Sequence, residues 1–175
     1  MAKFLLLFLL CFGCSISSFS VDLDSTFVVD SSFTEDEQHA IVQSLYDWEQ
    51  VTRGKVNMKL IITDTPNLYG PLPKIIKSSE PPDDTTYGYT KYDADHMTIY
   101  IYFKNIEASR FVSTKAVVLH EMGHTFGLAH SNRGLMVPIN VNQTCIDDFA
   151  LKQFCEVHYC SIDEVKSNCP DDIDI

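Results

Sequence analysis

The chain has 175 residues, with 24 acidic against 13 basic side chains and a formal net charge of −11. That length supports one domain with its own hydrophobic core. The acidic balance argues against nucleic acid or an anionic membrane surface as a partner, and no internal repeat or long low-complexity tract interrupts the chain.

Lys3 opens an apolar run, Phe4 to Phe12, that is too short to span a bilayer. Ser18 and Ser20 stand at the −3 and −1 positions of a cleavage site, and the acidic segment Val21–Asp24 follows at once. Residues 1–20 therefore read as a signal peptide, leaving 21–175 as the exported part. A competing processing site lies at Cys14 after Gly13, with Cys11 where a lipoprotein signal has leucine. Thr26–Asp30 is a short strand candidate. Thr34 and Glu37 form a capping box, and Ile41, Leu45, Trp48 and Val51 follow at helical spacing. They predict an amphipathic helix over 34–52, ended by Gly54. Val56, Met58, Leu60 and Ile62 alternate, as in a half-buried strand. Residues 64–85 hold five prolines and read as a long surface loop. Thr86–Tyr92 and Met97–Phe103 flank a turn at Asp93-Ala94-Asp95 and form a hairpin, with Met97, Ile99, Ile101 and Phe103 on one face.

Ser113 to Leu119 is largely apolar and has no breaker, so a helix continues into H-E-M-G-H-T-F-G-L-A-H, residues 120–130. Spacing of i, i+4 puts His120 and His124 on one face, one turn apart. Glu121 projects close to the same point without having to ligate. Gly127 can take a positive φ, which ends the helix and lets His130 return. Three histidines leave a fourth position open on a zinc ion, which is the catalytic arrangement. Met136 follows in L-M-V-P.

Asp147 or Asp148 caps a last helix that carries Phe149, Leu151 and Phe154. Beyond the signal the chain keeps four cysteines, Cys145, Cys155, Cys160 and Cys169. An even number in an exported domain points to two disulfides; a second metal cluster would lack the usual C-x-x-C pair. A helix over 147–156 separates Cys145 from Cys155 by roughly 15 Å, beyond the ~7 Å that a disulfide tolerates between Cα atoms. Of the two pairings left, Cys155–Cys160 with Cys145–Cys169 spares Cys160 from doubling back along the helix. Asn142-Gln143-Thr144 is a glycosylation sequon, and the acidic tail Asp171–Ile175 reads as a solvated terminus.

H-E-x-x-H-x-x-G-x-x-H with a Met-turn is the signature of metzincin zinc proteases. Ser131 after the third histidine, L-M-V-P, and Pro138 in place of the tyrosine usual in astacins and serralysins make the chain resemble the matrixins. The resemblance implies an α+β fold: a small twisted mixed sheet with three main helices, the zinc site on the second and the Met-turn before the third. It implies one catalytic Zn2+ held by His120, His124 and His130. Glu121 would activate a zinc-bound water for attack on a peptide carbonyl, and zinc would stabilise the oxyanion. Met136 would be an apolar floor below the histidines. Thr86–Tyr92 would lie at the sheet edge above the cleft, where an extended peptide can add as a strand. Ala116 and Pro138-Ile139-Asn140 would line the pocket for the side chain after the cleaved bond, roomy enough for Leu, Met or Phe. The function expected is that of a secreted, monomeric zinc metalloendopeptidase acting on proteins or peptides, with no membrane span. A surface-anchored lipoprotein protease, lipidated at Cys14, and a non-catalytic binding module on the same fold are the alternatives, the second opposed by the intact Glu121. The chain departs from matrixins in its stretch after the last helix and in showing no propeptide with a cysteine switch. D-A-D-H at 93–96 faintly resembles the matrixin structural-metal segment, but the other histidines are missing and a turn is expected. His39 and His158 are expected to be exposed.

Overall fold

Five strands build the sheet: β1 Asp24–Asp30, β2 Asn57–Thr63, β3 Lys74–Ser78, β4 Gly88–Asp93 and β5 His96–Tyr102. In this computed structural model they lie in the order β2-β1-β3-β5-β4. The structure describes residues 22–93, 96–109, 111–138 and 142–170. The segment expected to be a signal, with Cys11 and Cys14, the residues Ala94 and Asp95, the expected pocket residues Ile139 and Asn140, and the tail from Asp171 lie outside these residues. β1 pairs in parallel with β2 and β3, and β3 with β5. Only β4 runs antiparallel, folding back on β5 through Tyr92 opposite Met97. β4 is an outer strand, as the matrixin resemblance implied for Thr86–Tyr92.

Helix α1, Glu35–Val51, connects β1 to β2. Its start is the expected capping box: the Glu37 carboxylate accepts from Thr34 N at 2.6 Å, and Thr34 Oγ1 accepts from Glu37 N at 3.4 Å. Glu37 also pairs with Lys77 at the end of β3, at 2.8 Å. The helix stops in a Schellman turn, with Gly54 N donating to Glu49 O and Arg53 N to Gln50 O. Its buried face, Ile41, Leu45, Trp48 and Val51, is the one predicted. The alternation on β2 is weaker than expected: Val56 is buried and Met58 and Leu60 half-buried, but Ile62 is exposed at the end of an outer strand.

Residues 64–85 are not an uninterrupted loop. They contain a 3-10 turn, Pro66–Tyr69, and the strand β3 at the centre of the sheet. The prolines flank this strand instead of breaking it. Pro73 contributes only its carbonyl, which accepts from Val28 N at 2.8 Å, so its missing N–H costs no ladder bond. The hairpin's second strand ends one residue early. Phe103 begins a short helix, α2 Phe103–Ala108, while keeping its ring buried, edge-on to Phe33 at 5.6 Å.

The histidine-bearing helix is α3, Thr114–Thr125, the second of the three longer helices among the described residues, as expected. α3 packs on α1, where Lys115 Nζ lies 2.6 Å from Asp47 Oδ2 and Trp48 Nε1 donates to Leu119 O at 3.2 Å. The last helix, α4 Asp148–His158, adds Phe154 to the same core; Trp48, Phe126 and Phe154 meet within 6.1 Å. Each such buried aromatic ring contributes about 2–3 kcal/mol of apolar burial. The disulfides are Cys145–Cys169 and Cys155–Cys160, the pairing that helix length favoured. His158 is half-buried, not exposed: it stacks on Phe154 at 4.5 Å and its Nε2 meets Phe126 O at 2.9 Å. His39 and His96 are exposed. The mixed sheet with its helices is the α+β fold expected.

Candidate active site

α3 is buried along most of its length, so its apolar residues form a core rod and not a stripe. Two ionisable groups inside that rod, His120 and Glu121, need partners to be tolerated there. The chain supplies the partner of Glu121 from β4 and that of His120 from the turns that follow the helix. After Thr125 the helix closes in a second Schellman turn: Leu128 N donates to Gly123 O at 3.0 Å and Gly127 N to His124 O at 2.9 Å. Gly127 takes φ 82°, where a Cβ would be strained. The turn swings Leu128 O to within 2.8 Å of His124 Nδ1. Further on, Leu135 O lies 2.8 Å from His120 Nδ1.

These two contacts decide the tautomers. A carbonyl only accepts, so each Nδ1 carries the proton and each Nε2 presents a lone pair. The Nε2 atoms of His124 and His130 face one another at 3.1 Å. The three imidazoles offer nitrogens that all lie within 4.8 Å of one another. Nitrogens gathered this closely fit a metal cation between them, and the carbonyls behind His120 and His124 are the usual orienting partners of metal-ligating histidines. Burial pushes the His120 imidazole down to about 4, against the pull of Leu135 O, with the neighbouring rings lowering it further. Burial likewise lowers His124. Neutral imidazole is the form that ligates.

Met136 is buried beneath this group, where its Sδ lies against Gly123 so closely that a Cβ at 123 would overlap it. Gly123 sits between His120 and His124, so its bare Cα lets the thioether reach the helix. Asp147 secures the segment: its Oδ2 accepts from Leu135 N at 2.6 Å while Oδ1 caps α4 through Phe149 N and Ala150 N.

Glu121 faces β4. Its Oε2 accepts from Thr90 Oγ1 at 2.6 Å, and its carboxyl lies against Gly88, where a Cβ would come within 2.8 Å of both Glu121 Cγ and Oε1. Burial pushes the Glu121 carboxyl up to about 7, opposed by the Thr90 hydroxyl. One turn on, the Tyr92 hydroxyl donates to His124 O. Burial, then the charge of Glu121, push that phenol up to about 12, so it stays a donor.

A cavity of about 320 Å³ opens beside these groups, lined by Ala116, Val117, His120, Glu121, His130, Val137, Pro138 and the strand entrance Thr85–Gly88. The structure thus brings His120, Glu121 and His130 together with Ala116 and Pro138 around one cavity, with His124 beside them and Met136 below. Sequence reading missed Gly88, Thr90, Tyr92 and Gly123. The first three left a trace as alternate residues of one strand; Gly123 left one as the small residue inside H-E-M-G-H.

An open three-histidine site beside a buried glutamate, with a Met-turn beneath and an outer strand above, defines a metzincin metalloprotease domain. The matrixin family model matches residues 63–153, slightly over half of the chain. The chain belongs to the matrixin family of zinc metalloproteases. A comparison with curated proteins finds no match.

Proposed function

We propose that the chain is a secreted zinc metalloendopeptidase in which His120, His124 and His130 hold the ion and Glu121 is the base. The nitrogens of His120, His124 and His130, all within 4.8 Å of one another beside a buried carboxylate at the mouth of the cavity, carry this reading. When bound, zinc supplies a Lewis acid that polarises a carbonyl and acidifies a water. Glu121 takes the proton released as water attacks the peptide carbonyl and delivers it to the leaving amine. The free side of β4 aligns an extended peptide by strand addition. Ala116 leaves depth in the cavity for Leu, Met or Phe after the cleaved bond, and Pro138 forms the outer wall. Met136 and Gly127 hold the histidines in place. Residues 1–20 direct export with cleavage after Ser20, and two disulfides suit an oxidising compartment. Among the described residues no helix is long and apolar enough to cross a membrane.

The test is a peptide-library digest with purified protein whose zinc is measured. About one zinc per chain is expected, with cleavage before large apolar residues and none in chelator. Glu121→Gln should keep the metal and lose about two to four orders of magnitude in turnover. Full activity without metal, or near-normal turnover in Glu121→Gln, would refute the reading.

A further inference from the structure

Gly88, Thr90 and Tyr92 occupy alternate positions on β4 and step along α3 in register. Gly88 lies against Val117 and Glu121, Thr90 bonds Glu121, and Tyr92 bonds the His124 carbonyl. The intervening Tyr89 and Lys91 are exposed. A threonine on a strand is often no more than a good β-former. Thr90 differs in where its hydroxyl points. The Oγ1 lies 2.6 Å from Glu121 Oε2 and 3.2 Å from Glu121 O. It has one proton, and the shorter bond to the carboxyl takes it. On the other side of the same carboxyl, Gly88 leaves no room for a side chain to intervene. The buried carboxyl is therefore gripped between a hydroxyl and a bare backbone, both on β4.

We propose that Thr90 is a positioning residue for peptide hydrolysis: its hydroxyl fixes the Glu121 carboxyl to the strand on which an extended substrate pairs. The substrate backbone and the base then share one frame, and slippage of β4 would misplace both together. A 1 Å error in such a group is costly because proton transfer demands hydrogen-bond reach. This inference rests on the metalloendopeptidase reading.

Two variants of the zinc-loaded protein test it. Thr90→Val keeps the shape and removes the hydroxyl; Thr90→Ser keeps the hydroxyl. Thr90→Val should lower kcat on a library-derived peptide by about ten- to a hundredfold, the range that a hydrogen bond to a charged group spans. KM and zinc content should change little, and Thr90→Ser should recover most of kcat. A double-mutant cycle of Thr90→Val with Glu121→Ala, read by unfolding of the metal-free protein, should show about tenfold non-additivity in the unfolding constant. An unchanged kcat in Thr90→Val, a loss in KM alone, a Thr90→Ser as slow as Thr90→Val, or an additive cycle would each overturn the role. A wild-type protein that leaves the library intact would overturn the protease reading itself, and this one with it.

Discussion

Asp147 works through both of its oxygens. Oδ1 caps α4, and Oδ2 holds Leu135 N, together with the Gln143 side chain. Leu135 is the residue whose carbonyl orients His120. Asp147→Ala should therefore cost more than a cap. The cap contributes about 1 kcal/mol, and the stranded Leu135 N–H adds about 1–3 kcal/mol, both measurable by denaturant unfolding. Metal affinity should also fall, by about 10–100-fold, as when an orienting partner behind a ligand is lost; competition with a chelator reads this directly. Asp147→Ser should restore part of the stability through the cap and leave the affinity low. An Asp147→Ala protein with unaltered affinity would show that the Met-turn holds itself in place. The capping role was legible in the sequence, because an N-cap is a local pattern. The grip on Leu135 was not: it spans twelve residues and exists only once the chain has turned at Gly134, φ 75°.

Among the elements, α1 and β5 could be read because each repeats a period over several residues, α3 through its unbroken apolar run into the histidine spacing, and α4 through its N-cap. β3 could not. Its five residues are too few for a periodic signal, and it lies in a proline-rich stretch that resembles a loop. Its strand character comes from neighbours on both sides, β1 and β5, and neither is adjacent in sequence. α2 was hidden for a related reason: Phe103 continues the apolar alternation of β5 even as the backbone turns helical. The histidine triad was readable through its spacing alone, whereas the β4 residues that bond α3 needed the sheet order. The two disulfides differ as elements too. Cys145–Cys169 spans 24 residues and closes the path into α4; Cys155–Cys160 spans only 5 at its end. Loop-closure entropy gives about 3.5 kcal/mol for the first and about 2 kcal/mol for the second. Replacing Cys145 and Cys169 together by Ala should accordingly lower the urea midpoint more than replacing Cys155 and Cys160. The reverse order would mean that local geometry at the end of α4 outweighs chain entropy.

At the scale of the whole molecule, the metal site and the core share one helix. α3 offers His120 and His124 on one side and packs Val118, Leu119 and Met122 into the core. An ion that binds only the native fold stabilises it by mass action, about 2.7 kcal/mol at a hundredfold excess over Kd. The helix itself, however, is held by contacts that need no ion. Trp48 is the only tryptophan in the chain. It is fully buried, donates to the backbone of Leu119 immediately before His120, and touches Phe126 and Phe154. The protein thus carries its own fluorophore against the back of the histidine helix, shielded from water on every side. Its emission should be blue-shifted, stay so when the metal is chelated, and move to the red only as denaturant opens the core. A red shift on chelation alone would reveal that the ion organises α3, and the colour of one indole would then report whether the site is filled.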